Sequence, residues 1–265
     1  MMRINGVDAS CLPADDRGLA YGDGVFRTLE CCNGVPRLWC WQLARLASDA
    51  AALGLALPDE AVLLSELALA CDGIERAVAK IVLTRGQGPR GYAIREGCRQ
   101  TLLVSAESWD GYPPAWAVDG IALAWCTLRL GLQPRLAGIK HLNRLENVLA
   151  RSDLQGSGCQ EGLLLDAEGR VIEGTMSNLF LRRGDEWLTP RLDRCGVAGA
   201  LRAWVLAQTG AREAFVEPRA VLDADELFVC NSLAGIWPVQ CLGTRRWCDF
   251  SGARALQALL AQAEA

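Results

Sequence analysis

Stretches of alternating apolarity and stretches of helical periodicity follow one another along the whole chain, with no repeat or low-complexity tract between them. That succession restricts the fold to an α/β arrangement of packed layers. Asn5-Gly6 and Asn33-Gly34 sharpen it, because each is a two-residue hairpin signal. The second joins a strand over 25–31 to one over 35–38, so an antiparallel N-terminal sheet is expected. Trp41, Leu43, Leu46, Ala50 and Leu53 recur at helical spacing until Gly54 and Pro58 interrupt, and 61–70 reads as a second helix. Strands are then expected over 77–84 and 101–106.

Ser108-Trp109-Asp110-Gly111-Tyr112-Pro113-Pro114 breaks all periodicity. The expected division is therefore an N-terminal α/β domain over 1–108, a linker over 109–118 and a C-terminal domain over 119–265. In the latter, strands are expected over 121–126, 162–166, 178–182, 187–189, 213–217 and 226–229. Helices are expected over 143–156, 198–209 and 252–263. Leu163-Leu164-Leu165 reads as a buried central strand.

The chain's 265 residues, 51% apolar, suffice for one large core or two modest ones. A net charge of −4 and a pI near 5.2 exclude a nucleic-acid footprint. No apolar run reaches the roughly 20 residues that span a bilayer, and the start lacks the apolar core of a signal peptide. A cytoplasmic protein without membrane contact is expected. Twelve cysteines without a Cys-x-x-Cys pair read as small buried thiols, and with His141 the only histidine there is no metal-ligand set.

Arginine holds nearly every basic position; Lys80 and Lys140 are the only lysines. Lys140, in Gly138-Ile139-Lys140-His141-Leu142-Asn143-Arg144-Leu145-Glu146, offers an amine that can lose its proton, which a guanidinium cannot. That chemistry forms Schiff bases. Read alone, a lysine like Lys140 more often ends a strand with its ammonium in solvent, and Lys80 is polar punctuation in one.

The company downstream is Asp166-Ala167-Glu168-Gly169-Arg170-Val171-Ile172-Glu173-Gly174-Thr175-Met176-Ser177-Asn178. Together these stretches resemble the fold-type IV pyridoxal-phosphate enzymes, which include branched-chain and D-amino-acid aminotransferases and aminodeoxychorismate lyases. The wording around Lys140 is similar to that of the lyases. The resemblance runs from Asn5-Gly6 to Asn231 and implies an α+β N-terminal domain with a mainly antiparallel sheet and a C-terminal distorted α/β barrel. It also implies a pyridoxal 5'-phosphate cofactor and a homodimer.

Carried over residue by residue, the resemblance makes Lys140 the lysine that bears the cofactor and moves protons. Glu173 becomes the partner of the pyridine nitrogen and Arg45 the phosphate ligand. It adds Ser177, Asn178, Val197, Ala198, Asn231 and Ser232 to the cofactor set, and Thr28 as a hydroxyl for proton delivery. Arg85, Arg90, Tyr92 and Arg27 are the candidate substrate contacts, since paired arginines suit a dicarboxylate. From the residues alone each has a plainer reading. Glu173 is a charged strand end, Arg45 a solvated helix face, Gly196–Gly199 an ordinary turn, Asn231 an Asx turn and Arg85–Tyr92 an exposed loop.

The activity the resemblance implies is cleavage of 4-amino-4-deoxychorismate to 4-aminobenzoate and pyruvate for folate synthesis. An aminotransferase on the same scaffold would share Lys140, Glu173 and Arg45 but lack the His-Leu-Asn-Arg-Leu-Glu wording. A non-catalytic protein on a decayed scaffold would not keep all three residues.

Overall fold

The computed structural model describes residues 1–94 and 96–263. The chain divides into two compact units, Met1–Asp110 with Ile139–Asn143, and Gly111–Gly138 with Arg144–Ala265.

The first unit carries β1 (Met2–Ile4), β2 (Val7–Asp8), α1 (Arg17–Tyr21), β3 (Gly24–Cys32), β4 (Val35–Pro36), α2 (Trp39–Ala52), α3 (Glu60–Ala70), β5 (Arg76–Gln87) and β6 (Arg99–Ser108). Its strands form one antiparallel sheet in the order β2-β1-β6-β5-β3-β4. Both Asn-Gly dipeptides turn hairpins, with Asn5, Gly6, Asn33 and Gly34 all at positive φ. One sheet face is apolar by alternation: Val25, Leu29, Ile81 and Leu83 pack with Leu46 of α2 and Leu63 and Leu67 of α3 in a dry core. Each such side chain stabilises the fold by about 1.5–3 kcal/mol.

The second unit carries α4 (Pro114–Val118), β7 (Ile121–Leu130), α5 (Leu145–Ser152), β8 (Glu161–Asp166), β9 (Val171–Gly174), β10 (Asn178–Arg183), β11 (Glu186–Pro190), α6 (Ala200–Thr209), β12 (Arg212–Ala214), α7 (Pro218–Leu222), β13 (Glu226–Asn231), β14 (Gly235–Leu242), β15 (Arg245–Arg246) and α8 (Ser251–Ala263). Its mixed sheet runs β12-β11-β10-β13-β14-β7-β8-β9, with β15 beside β14. The sheet curls into a partial barrel whose two ends meet at one bridge, Val171 N–H to the Val216 carbonyl at 2.8 Å. Leu163, Leu164 and Leu165 lie in β8 and are buried throughout.

Two expectations differ from this arrangement. The stretch 109–118 does not run as a plain linker: Pro113 caps α4, and Tyr112 and Trp116 pack on Trp237 with centroids 4.8 and 5.1 Å away. The aromatic surface there is worth more buried than trailing in water. Residues 139–143 fall in the first unit because they add to β3, although their place in the sequence puts them beyond 118.

Candidate active site

Lys140 is held by main-chain pairing. β4 pairs only with Cys31 and Cys32, so the other end of that β3 edge takes residues 140–142 instead. Phe26 N–H donates to the Lys140 carbonyl at 3.0 Å, Leu142 N–H to the Gly24 carbonyl at 3.0 Å, and Val25 bridges His141. Gly24 is required, since a Cβ there would lie 2.6 Å from the Leu83 carbonyl oxygen.

The Lys140 ammonium lies 4.6 Å from the Phe26 ring centroid, and Lys80 lies 4.9 Å from the same ring. Alternation puts Thr28 on the Phe26 face, where it pairs with Lys80 across β5. Arg27 points the other way. Its guanidinium is 2% exposed and pairs with Asp49 of α2 inside the unit. Asp49 also accepts from Arg45 Nη2 at 3.2 Å and from the main-chain N–H of Lys140 at 3.1 Å. Arg27, Arg45 and Lys140 thus meet at a single carboxylate that is 1% exposed.

The arginine-bearing loop has a frame beneath it. Arg85 is buried, its guanidinium donating to Asp23 at 2.9 Å and to the carbonyls of Leu53 and Gly54 that end α2. Asp23 receives Arg17 as well, at 3.0 Å, and Arg17 reaches the carbonyls of Gly91 and Tyr92. Burial raises the Asp23 carboxyl, but the hydrogen bonds and charges of Arg85 and Arg17 outweigh it and hold Asp23 below the usual aspartate range. Tyr21 accepts the Gly91 N–H and meets the Tyr92 ring edge-on at 5.3 Å. Arg90 is exposed, and Tyr92 is 86% exposed.

Within the second unit, Glu173 is buried at the end of β9, where its Oε2 accepts the Val197 N–H at 2.8 Å. Asn178 ties the same turn: its amide donates to the Val197 carbonyl at 2.8 Å and its oxygen accepts the Gly199 N–H at 3.1 Å. Ala198 N–H donates to the Gly138 carbonyl at 3.0 Å. The N–H groups of 197, 198 and 199 are therefore engaged within the protein, and those directed out of the helix end belong to the first turn of α6. Gly196, at φ +84°, packs closely beside Glu173: a Cβ there would come within 2.8 Å of Ile172 and Leu192 and 3.4 Å of the Glu173 carboxyl carbon, so only glycine lets the turn approach this closely.

Ser177 donates to Glu161 at 2.7 Å. Asn231 closes an Asx turn onto Leu233 and Ala234 N–H, with its amide on the Met176 carbonyl at 3.2 Å; Ser232 is half-buried in that turn.

The sequence pattern of Amino-transferase class IV matches residues 24–242. The chain belongs to this family. Among class IV proteins it is 35% identical over 244 residues to the aminodeoxychorismate lyase of Vibrio harveyi, 90% of each chain. It is 30% identical over 234 residues to the D-alanine aminotransferase of Bacillus licheniformis, 85% of this chain and 81% of that one. The crystal structure of 4-amino-4-deoxychorismate lyase from Pseudomonas aeruginosa superimposes with a TM-score of 0.93 at 42% identity, over 99% of this chain and 98% of that one. The fold is that of the fold-type IV enzymes.

Three carboxylates, two in the first unit and one in the second, organise the candidate residues of their own unit and carry no signal as chemistry in the sequence. Asp49 lies one turn beyond Arg45 and reads as a surface i,i+4 pair. Asp23 reads as part of a glycine turn. Glu161 opens β8, is fully buried, and accepts the N–H groups of Gly162, Thr175 and Met176 and the hydroxyls of Thr175 and Ser177. It fixes the turn that leads from Glu173 to Asn178.

Proposed function

We propose that this protein is a pyridoxal-phosphate-dependent 4-amino-4-deoxychorismate lyase, forming 4-aminobenzoate and pyruvate for folate synthesis in the cytoplasm as a homodimer. The observation that carries the reading is the near full-length likeness, at 42% identity, to a lyase of that name.

The chemistry of the donor set fits the cofactor: a lysine amine held by its main chain, a buried carboxylate anchored by the Val197 N–H, and an arginine anchored by Asp49. Lys140 would bear the group, Glu173 would face its ring nitrogen and Arg45 its phosphate, a planar fork suiting phosphate oxygens. When bound, pyridoxal phosphate supplies an electron sink for a carbanion next to nitrogen. Glu173, buried and anchored by Val197 N–H, would hold the proton of the ring nitrogen at one place. Lys140 would take the proton from the amine-bearing carbon of the substrate. Thr28, on the Phe26 face, is the hydroxyl assigned to deliver a proton to the departing enolpyruvyl group. Arg90 and Tyr92, exposed on the framed loop, are the substrate contacts, and Arg85 shapes the loop from below.

A class IV aminotransferase is the second reading, supported by the 30% identity to a D-alanine aminotransferase. Side-by-side rates separate them. The purified protein with aminodeoxychorismate forms 4-aminobenzoate much faster than it moves amino groups from D-alanine or leucine to 2-oxoglutarate; the reverse order would overturn the lyase reading.

A further inference from the structure

Asp49 joins three residues of separate segments: Arg27 of β3, Arg45 one turn earlier on α2, and the main-chain N–H of Lys140. The first two contacts alone would be charge balance in a core. The third is different, because it reaches the main chain of Lys140 itself, which lies outside the named helices and strands.

We propose that Asp49 is a positioning residue that couples the hold of Arg45 on the cofactor phosphate to the placement of Lys140, with Arg27 as the countercharge that makes a buried carboxylate tolerable there. This rests on the cofactor reading above. One carboxylate plane carries both functions: Oδ1 receives Arg45, and Oδ2 receives Arg27 and the Lys140 peptide. α2 fixes the spacing from Arg45 to Asp49, and Asp49 carries that spacing to residue 140. Phosphate bound by Arg45 and a carbonyl carbon bound by Lys140 are thereby set at one separation, which is preorganisation of two ends of a single ligand.

The test separates this role from charge balance. In Arg27→Leu/Asp49→Leu both members of the buried pair are removed together, which commonly leaves stability near the wild type. Apo forms of the wild type, this double variant and Asp49→Asn are mixed with pyridoxal phosphate, and the dissociation constant and the rate at which the visible band rises at saturation are both read. Loss of one charge-assisted contact predicts a dissociation constant about tenfold higher and a band that rises several-fold more slowly even at saturation, in both variants. A double variant that folds and matches the wild type within twofold on both measures would overturn the proposal. If it does not fold, Asp49→Asn decides on the same two measures. A wild type that gives no visible band would instead sink the cofactor reading.

Discussion

On the proposed reading Lys140 and Glu173 do opposite kinds of work, one changing its covalent partner and the other holding still. We expect borohydride reduction of the loaded protein and peptide mapping to place the cofactor on Lys140. Lys140→Ala should abolish covalent attachment while Lys80→Arg retains it, and label on Lys80 would contradict the assignment. Glu173→Gln should bind cofactor yet eliminate at least about a hundredfold more slowly, since an amide cannot hold the ring proton through the carbanion step; stopped-flow turnover measures it. As candidates these residues were legible because rarity marks a lysine in an arginine-rich chain and because Glu173 stands in a recognisable stretch. Asp49 and Glu161 were not, since charge in a sequence says nothing of burial. The direction of Arg27 follows from strand alternation, which puts it opposite Thr28, but only packing against α2 shows what it meets.

At the scale of elements, long periodic segments were readable and short ones were not. α2, α3, β5, β6, β8 and α8 lie where alternation or helical spacing puts them, to within a few residues at either end. α1 has only five residues, too few for periodicity, and its evidence is a cap at each end: Asp16 accepts the Gly18 N–H, and Gly22 closes it at φ +66°. β14 was hidden by Pro238, which a central strand seldom tolerates. α1 nevertheless frames the arginine loop through Arg17 and Tyr21. Arg17→Ala should therefore speed proteolysis within 88–92 and raise KM for the dicarboxylate about fivefold, the weight of one net hydrogen bond, with kcat and the cofactor spectrum unchanged. An unchanged KM would detach α1 from substrate binding. Asp23 adds a pH dependence: its folded value lies below the unfolded one, so its stabilisation is complete above about pH 4. It is lost as pH falls through the folded value, and Asp23→Asn should flatten that acid limb of a melting curve.

For the whole molecule, two compact units and a class IV fold were foreseeable from alternation and resemblance, while the transfer of residues 139–143 to the first unit was not, because pairing along the free edge of β3 leaves no local pattern. Membership in a family that holds both lyases and aminotransferases leaves reaction class to be decided by chemistry. A transaminase stores the amino group on its cofactor and needs a keto acid to discharge it, so it follows ping-pong kinetics. A lyase returns to its starting form at every turnover. The direct measurement is product stoichiometry with aminodeoxychorismate as sole substrate. The account predicts pyruvate and 4-aminobenzoate in equal amounts over many turnovers, with no keto acid added and the visible spectrum unchanged at the end. A single turnover that stops with the visible band bleached, and resumes only when a keto acid is supplied, would contradict it.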